Sequence, residues 1–199
     1  RRNAFADGTG VVNPGGLTKV GQVAVREMAA HQVLLDVSHL AEPGFWDVLD
    51  LVDGPVVATH SNARAVLDHP RNLTDDQIKA LAETGGVIGL NFFGFYVDAK
   101  QPTFDRLADH AIHIADLVGA AHIGLGPAFL DAELRALARV AIADAGIDPA
   151  LADFWIPDGE APAHLPYFTA KLLECGFSSD DVRGILGGNF MRVFEAVWG

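Results

Sequence analysis

Cysteine is nearly absent from these 199 residues: Cys175 is the only one. A single thiol excludes an internal disulfide and any site built from several cysteines, and its setting in "KLLECGF" predicts a buried thiol on a helix. Basic residues are also scarce, with 14 Lys and Arg against 26 Asp and Glu and a net charge of −12. There is no basic stripe and little interleaving of basic with aromatic residues, which argues against a nucleic-acid partner. Long apolar runs are missing too. Even "GGVIGLNFFGF" (Gly85 to Phe95) falls short of the roughly 20 residues that span a bilayer, and no signal-peptide pattern opens the chain. No membrane segment is expected, and a reducing cytoplasm is the expected location. The first residues, "RRNAFADGTG", lack an initiator Met, so a processed or truncated product is expected.

What is present is apolar and periodic. Half of the residues are hydrophobic, enough for a sizeable core, and no repeat, low-complexity run or linker divides residues 1–199, which read as one piece. Helical spacing of apolar residues covers Thr18–Gln32, and "VLLDVS" (Val33–Ser38) reads as a strand buried on both faces. The alternation continues with a helix over Pro43–Val52, a strand over Pro55–Thr59, a helix over Thr74–Thr84, a strand over Val87–Phe92, a helix over Phe104–Val118 and a strand over His122–Leu125. Thr74 and Gln77 have the spacing of a capping box. Helices are then expected at Asp131–Ala145, Leu165–Cys175, Asp180–Leu186 and Asn189–Trp198, with "ADFWIPDGEAPAH" as an irregular connection. "GGN" (Gly187 to Asn189) reads as a helix break followed by the cap of the last helix.

Short apolar strands alternating with helices imply α/β architecture with a parallel sheet, either open or closed as a (β/α)8 barrel. The strand ends favour the barrel. Polar residues close successive strands: His39 after "DVS", His60 after "VVAT", and Asn91 in the third. A barrel gathers its functional groups at those C-terminal ends. "GLGPAF" lacks the phosphate-binding glycine spacing that an open dinucleotide-binding sheet would carry. Four strands make half of a barrel.

His39 and His60 are separated by one helix and one strand. On neighbouring parallel strands about 4.8 Å apart, both imidazoles can reach one mouth. Each alone reads first as a packing residue; together they read equally as packing residues or as two nitrogens for zinc, which in a catalytic site usually takes three protein ligands plus water. Of the other histidines, His110 and His113 are expected on a solvated helix face, His31 near a helix C-terminus, and His122 at a strand start. His69 and His164 fall in loops without an assigned role. Arg64, four residues beyond His60, could grip a carboxylate or serve as a surface ion pair. "RNLT" (Arg71 to Thr74) matches a glycosylation sequon, yet helix capping explains it. Asp36 could orient a ligand or play a structural part.

Taken together, "LLDVSHL", "ATHSNARAVLDHPRNLTDDQIKALAETGGVIGLNFF" and "ILGGNFMRVFEAVWG" resemble the membrane (renal) dipeptidase family of zinc metallopeptidases, over nearly the whole chain. The resemblance implies a (β/α)8 barrel related to the amidohydrolases, with two zinc ions activating a bridging water to hydrolyse a dipeptide or related small amide. It implies that His39 and His60 are ligands of one zinc and that Arg64 binds the substrate's terminal carboxylate. The family's His-x-Asp and its metal-bridging glutamate have no counterpart in these residues, so the chain resembles the C-terminal half. The other half is expected from a partner chain, a homo-oligomer, or sequence outside these residues, because an open half barrel leaves strand edges and apolar surface uncovered. Two positions depart from the family pattern. Ala128 stands where the last strand's aspartate is expected, and Phe93 where a tyrosine is common. Ala128 raises the alternative of a catalytically silent relative that binds a ligand or partner. Restoring the carboxylate with Ala128→Asp distinguishes the two: gained dipeptide hydrolysis identifies a disabled enzyme, and continued silence with zinc retained identifies a binding protein.

Overall fold

A computed structural model describes residues 2–144 and 154–199. Four short parallel strands follow one another: β1 (Leu35–Asp36), β2 (Val56–Val57), β3 (Ile88–Leu90) and β4 (Ile123–Leu125). β1 pairs with β2, with Leu35 opposite Val56, and β3 pairs with β4, with Gly89 opposite Gly124. A parallel bridge between Ala58 and Ile88 joins the two pairs. Three crossover helices connect the strands: α2 (Glu42–Leu49), α3 (Asp75–Glu83) and α4 (Phe104–Val118). α1 (Lys19–Ala30) precedes β1, while α5 (Ala132–Asp144), α6 (Leu165–Glu174), α7 (Ser179–Arg183) and α8 (Asn189–Trp198) follow β4. The strands are shorter than the apolar runs predict, but they occupy the expected places. Among the described residues, no helix is long and apolar enough to cross a membrane.

Local chemistry sets the boundaries. Thr18 caps α1 by accepting from Gly21 N at 3.0 Å, so the helix starts one residue later than the periodicity suggests. The capping box of α3 forms as expected: Thr74 Oγ1 accepts from Gln77 N at 3.2 Å, and Gln77 Oε1 accepts from Thr74 N at 3.0 Å. α4 starts at the Thr103 cap and stops at Gly119, whose φ of 88° suits glycine. Strands β2 and β3 are fully buried, whereas β1, expected from its apolar run to be buried on both faces, buries Leu35 but leaves Asp36 and the preceding Val33 exposed, because it lies at the open edge of the sheet. Phe92 stands at the heart of the core, edge-on to Phe104, Phe129 and Phe168 at ring separations of 5.9, 6.1 and 5.3 Å. Glycine is required where strand ends crowd together: a Cβ on Gly126 would lie 1.8 Å from Thr59 O.

Four expectations are revised by packing. Cys175 is exposed, not buried, because it lies at the C-terminal end of α6 where the chain turns at Gly176. His110 does not face solvent. α4 packs beneath the loop after β2, and His110 is wholly buried, with Nδ1 accepting from Ala63 N at 3.1 Å and Nε2–H donating to Val97 O at 3.0 Å. His113 instead lies beside Asp75 at 2.8 Å. Asn189 does not cap α8: its amide donates to Ala120 O and Ile123 O, which ties that helix to β4. Ala145, Ala152 and Asp153 of the expected elements lie outside the described residues.

Burial holds the His110 imidazole down to about 4, so it is neutral when folded. The unfolded chain binds its proton near 6.5, so acid favours unfolding. Stability is therefore expected to fall between pH 6.5 and 4, with His110 accounting for about 3 kcal/mol at the lower end. Denaturation at several pH values checks this: the advantage of the unmodified protein over His110→Asn should shrink across that window.

Candidate active site

The ends of β1 and β2 are held together by one carboxylate. Asp36, the last residue of β1, accepts from Ser38 N (3.0 Å), Ser38 Oγ (2.6 Å), Thr59 N (3.0 Å) and Thr59 Oγ1 (2.5 Å). Partial burial alone would raise its pKa, but these hydrogen bonds outweigh it and hold the carboxyl below its ordinary value. Because the Thr59 hydroxyl gives its proton to Asp36, its oxygen is an acceptor for His60 Nδ1 at 2.8 Å. The proton of neutral His60 is therefore on Nδ1, and Nε2 carries a free lone pair. That nitrogen accepts from His39 Nε2–H at 2.8 Å, a proton that a metal ion bound between the two would displace.

The pair is the one expected from the spacing of the strands, and the structure brings the two imidazoles together at one mouth. Both titrate below the ordinary histidine value, His39 at about 4, first because burial disfavours the cation and then because the charge of Arg71 opposes it. Neutral imidazoles with converging Nε2 atoms, one already oriented through Nδ1, fit a zinc-type ion. They supply two ligands. Among the described residues no group of three or more His, Cys, Asp and Glu side chains could hold a metal.

Arg71 was not singled out by the sequence, where nothing local separates it from Arg64. It is 6% exposed. One guanidinium nitrogen, Nη2, donates to His60 O at 3.0 Å and the group lies 5.3 Å from the Tyr96 ring, whereas Nε and Nη1 are buried without an acceptor in hydrogen-bond geometry among the described residues. Two unpaired donors of a buried cation, beside the histidine pair, mark a place for an anion. Arg64 is differently placed. Its nitrogens reach Asn72 O (3.0 Å), Glu42 (3.4 Å) and Pro70 O (3.3 Å), so it braces the loop onto α2.

A buried amide network fixes this loop. Asn62 Nδ2 donates to Asn91 O and Tyr96 O, both at 2.9 Å, while its Oδ1 accepts from Asn91 N. Asn72 Nδ2 donates to Leu67 O and Tyr96 O, both at 3.0 Å, and Asn91 Nδ2 reaches His60 O at 3.4 Å. Ala128 is exposed after β4 with φ of 55°, a backbone conformation that Asn and Asp adopt more readily than Ala. Its methyl offers no polar group. Asp131 caps α5 through Leu134 N and does not substitute for a carboxylate at position 128.

The family model for membrane dipeptidases, peptidase family M19, matches residues 1–139. The chain is 32% identical over 197 residues to dipeptidase verJ of Clonostachys rogersoniana, covering 98% of this chain and 46% of that protein. It is 31% identical to an uncharacterized protein in the pqqA 5′ region of Klebsiella pneumoniae, covering 98% and 69% of the two chains. Among solved structures it superposes on a metallo peptidase from Rhodobacter sphaeroides, liganded with a phosphinate mimic of the dipeptide L-Ala-D-Ala. The TM-score there is 0.80 with 29% identity, over all of this chain and 54% of that one. An amidohydrolase from Pseudomonas aeruginosa gives a TM-score of 0.82 at 26% identity, over all of this chain and 62% of that one. The chain thus spans about half the length of dipeptidase verJ.

Thr59→Val keeps the side-chain shape but releases His60 Nδ1, and zinc affinity, measured by competition with a chromogenic chelator, is expected to fall about 10- to 100-fold.

Proposed function

Because the chain belongs to the membrane dipeptidase family, we propose that it supplies the C-terminal strands of a (β/α)8 barrel and part of the site of a zinc-dependent hydrolase acting on dipeptides or related small amides. The observation that carries this reading is the meeting of two neutral imidazoles beside a buried arginine with two unpaired donors.

His39 and His60 would hold one zinc ion through their Nε2 atoms; the family's second ion and the remaining ligands belong to residues outside this chain's described site. When bound, zinc supplies Lewis acidity, lowering the pKa of water towards roughly 7 and polarising a carbonyl. Asp36 and Thr59 keep His60 in the tautomer whose Nε2 is free. Arg71, in place of the Arg64 expected from the sequence, would attract the substrate's terminal carboxylate through its charge and one of its unpaired donors, Nε or Nη1, which lie on different edges of the guanidinium, and so set the distance between that end and the histidine pair. Its attachment to His60 O couples the position of the anion to that of the metal ligand.

Ala128 favours a second reading, a silent relative that binds a ligand without cleaving it, since no carboxylate stands there to move a proton.

Zinc content after dialysis and dipeptide kinetics test the proposal together. His39→Ala and His60→Ala should each lose tightly bound zinc. Arg71→Met should retain zinc and raise KM about 10- to 100-fold, the effect of removing a charge-assisted pair, with Arg64→Met close to the unmodified protein. Zinc retained in both histidine variants, or a KM untouched by Arg71→Met, overturns it.

A further inference from the structure

Next to Arg71 the mouth carries a continuous surface of aromatic rings. The guanidinium lies 5.3 Å from the centre of the Tyr96 ring, Tyr96 lies 5.4 Å from Phe93, and Phe93 meets Trp155 edge-on at 5.2 Å. Phe129 extends the surface at 6.4 Å from Trp155. Phe93, Tyr96 and Phe129 are all partly exposed. Strand geometry sends successive side chains to opposite sides. Phe92 takes the core side and is wholly buried, and Phe93, its neighbour, is left at the mouth.

The surface is rigidly built. Asn62 and Asn72 both donate to Tyr96 O, and Phe93 N donates to Asn91 Oδ1 at 2.8 Å. Phe93 and Trp155 form an antiparallel bridge, and Gly94 N donates to Phe154 O at 2.6 Å. Gly94 permits that approach, since a Cβ would lie 2.6 Å from the same oxygen. Trp155 is 7% exposed, yet its Nε1 has no acceptor among the described residues. A fixed, half-exposed apolar wall with one unpaired donor, adjoining a buried cation with two more, has the composition of a small-molecule site.

We infer that Phe93, Tyr96 and Trp155 form the subsite for the side chain of the substrate residue that bears the carboxylate, and that they select an aromatic one. The inference rests on Arg71 as the carboxylate-binding group. An aromatic side chain covers the exposed rings and stacks on them, a small one leaves them wet, and a cationic one meets the charge of Arg71. The Trp155 N–H is then free for an oxygen of the same ligand.

Calorimetric titration of the whole zinc-loaded protein with N-acetylphenylalanine, N-acetylalanine and N-acetylphenylalanine amide, each as both enantiomers, tests this. The phenylalanine acid should bind at least about tenfold more tightly than the alanine acid, as burial of a benzyl group implies. Phe93→Ala should remove most of that preference, with folding checked by circular dichroism and Phe93→Leu used if the alanine variant does not fold. Equal affinity for the two acids, undiminished preference in a folded Phe93 variant, or no binding of any probe overturns the inference. Loss of both acids in Arg71→Met without any phenylalanine preference sinks the aromatic subsite while sparing the carboxylate reading. An amide probe that binds as tightly as its acid sinks the carboxylate reading itself and, with it, the assignment of this wall to the carboxylate-bearing residue.

Discussion

Four hydrogen bonds converge on the Asp36 carboxylate, two from the turn that follows its own strand and two from the end of the next. A carboxylate kept ionised in this way is an acceptor only, so every group around it must donate. The Thr59 hydroxyl obeys, and the proton order along Thr59 and His60 is thereby decided. The backbone is held by the same set: Ser38 Oγ, donating to Asp36, accepts from His60 N at 3.0 Å. One carboxylate at the strand end thus fixes the spacing of two strand ends, the tautomer of a histidine and the direction of its lone pair.

Around this centre the loop after β2 is fastened almost without slack. His110 binds it from α4, Asn62 and Asn72 bind it to the turn at Gly94–Tyr96, and Arg64 ties it to α2. Unpaired buried polar atoms are costly, which is why such networks close. Among the described residues the buried side-chain atoms without a partner are Ser61 Oγ, Asn72 Oδ1 and His164 Nδ1 together with Arg71 Nε and Nη1 and Trp155 Nε1. The last three are donors, and they lie on the side of the mouth where the aromatic rings reach the surface. Preorganised donors without protein acceptors are what an anionic or carbonyl-bearing ligand requires.

Phe93 brings no hydroxyl and Ala128 no carboxylate to the described part of the mouth, which is apolar at both positions. Membership of the membrane dipeptidase family places the chain among its relatives, whereas the residues at the mouth bear on how, and on what, a site there would work.

Much of the architecture was legible in the sequence. Apolar runs bounded by glycine and caps gave the four parallel strands and their crossover helices, and the His39 and His60 separation anticipated that the two would meet, because strand ends of a parallel sheet share one side. Capping boxes are local and could be read directly, as at Thr74 and Gln77. What the sequence could not rank was equivalent residues in one loop. Arg64 and Arg71 have the same chemistry, and only folding buries Arg71 with two nitrogens unpaired among the described residues while giving Arg64 protein partners for Nε, Nη1 and Nη2. His110 looked like a surface histidine until α4 packed beneath the loop, and Trp155 lay in an irregular stretch until it paired with Phe93. Local pattern determines which elements form, because periodicity and capping act within a few residues; burial and long-range pairing decide which polar groups remain available, because they depend on neighbours distant in the chain.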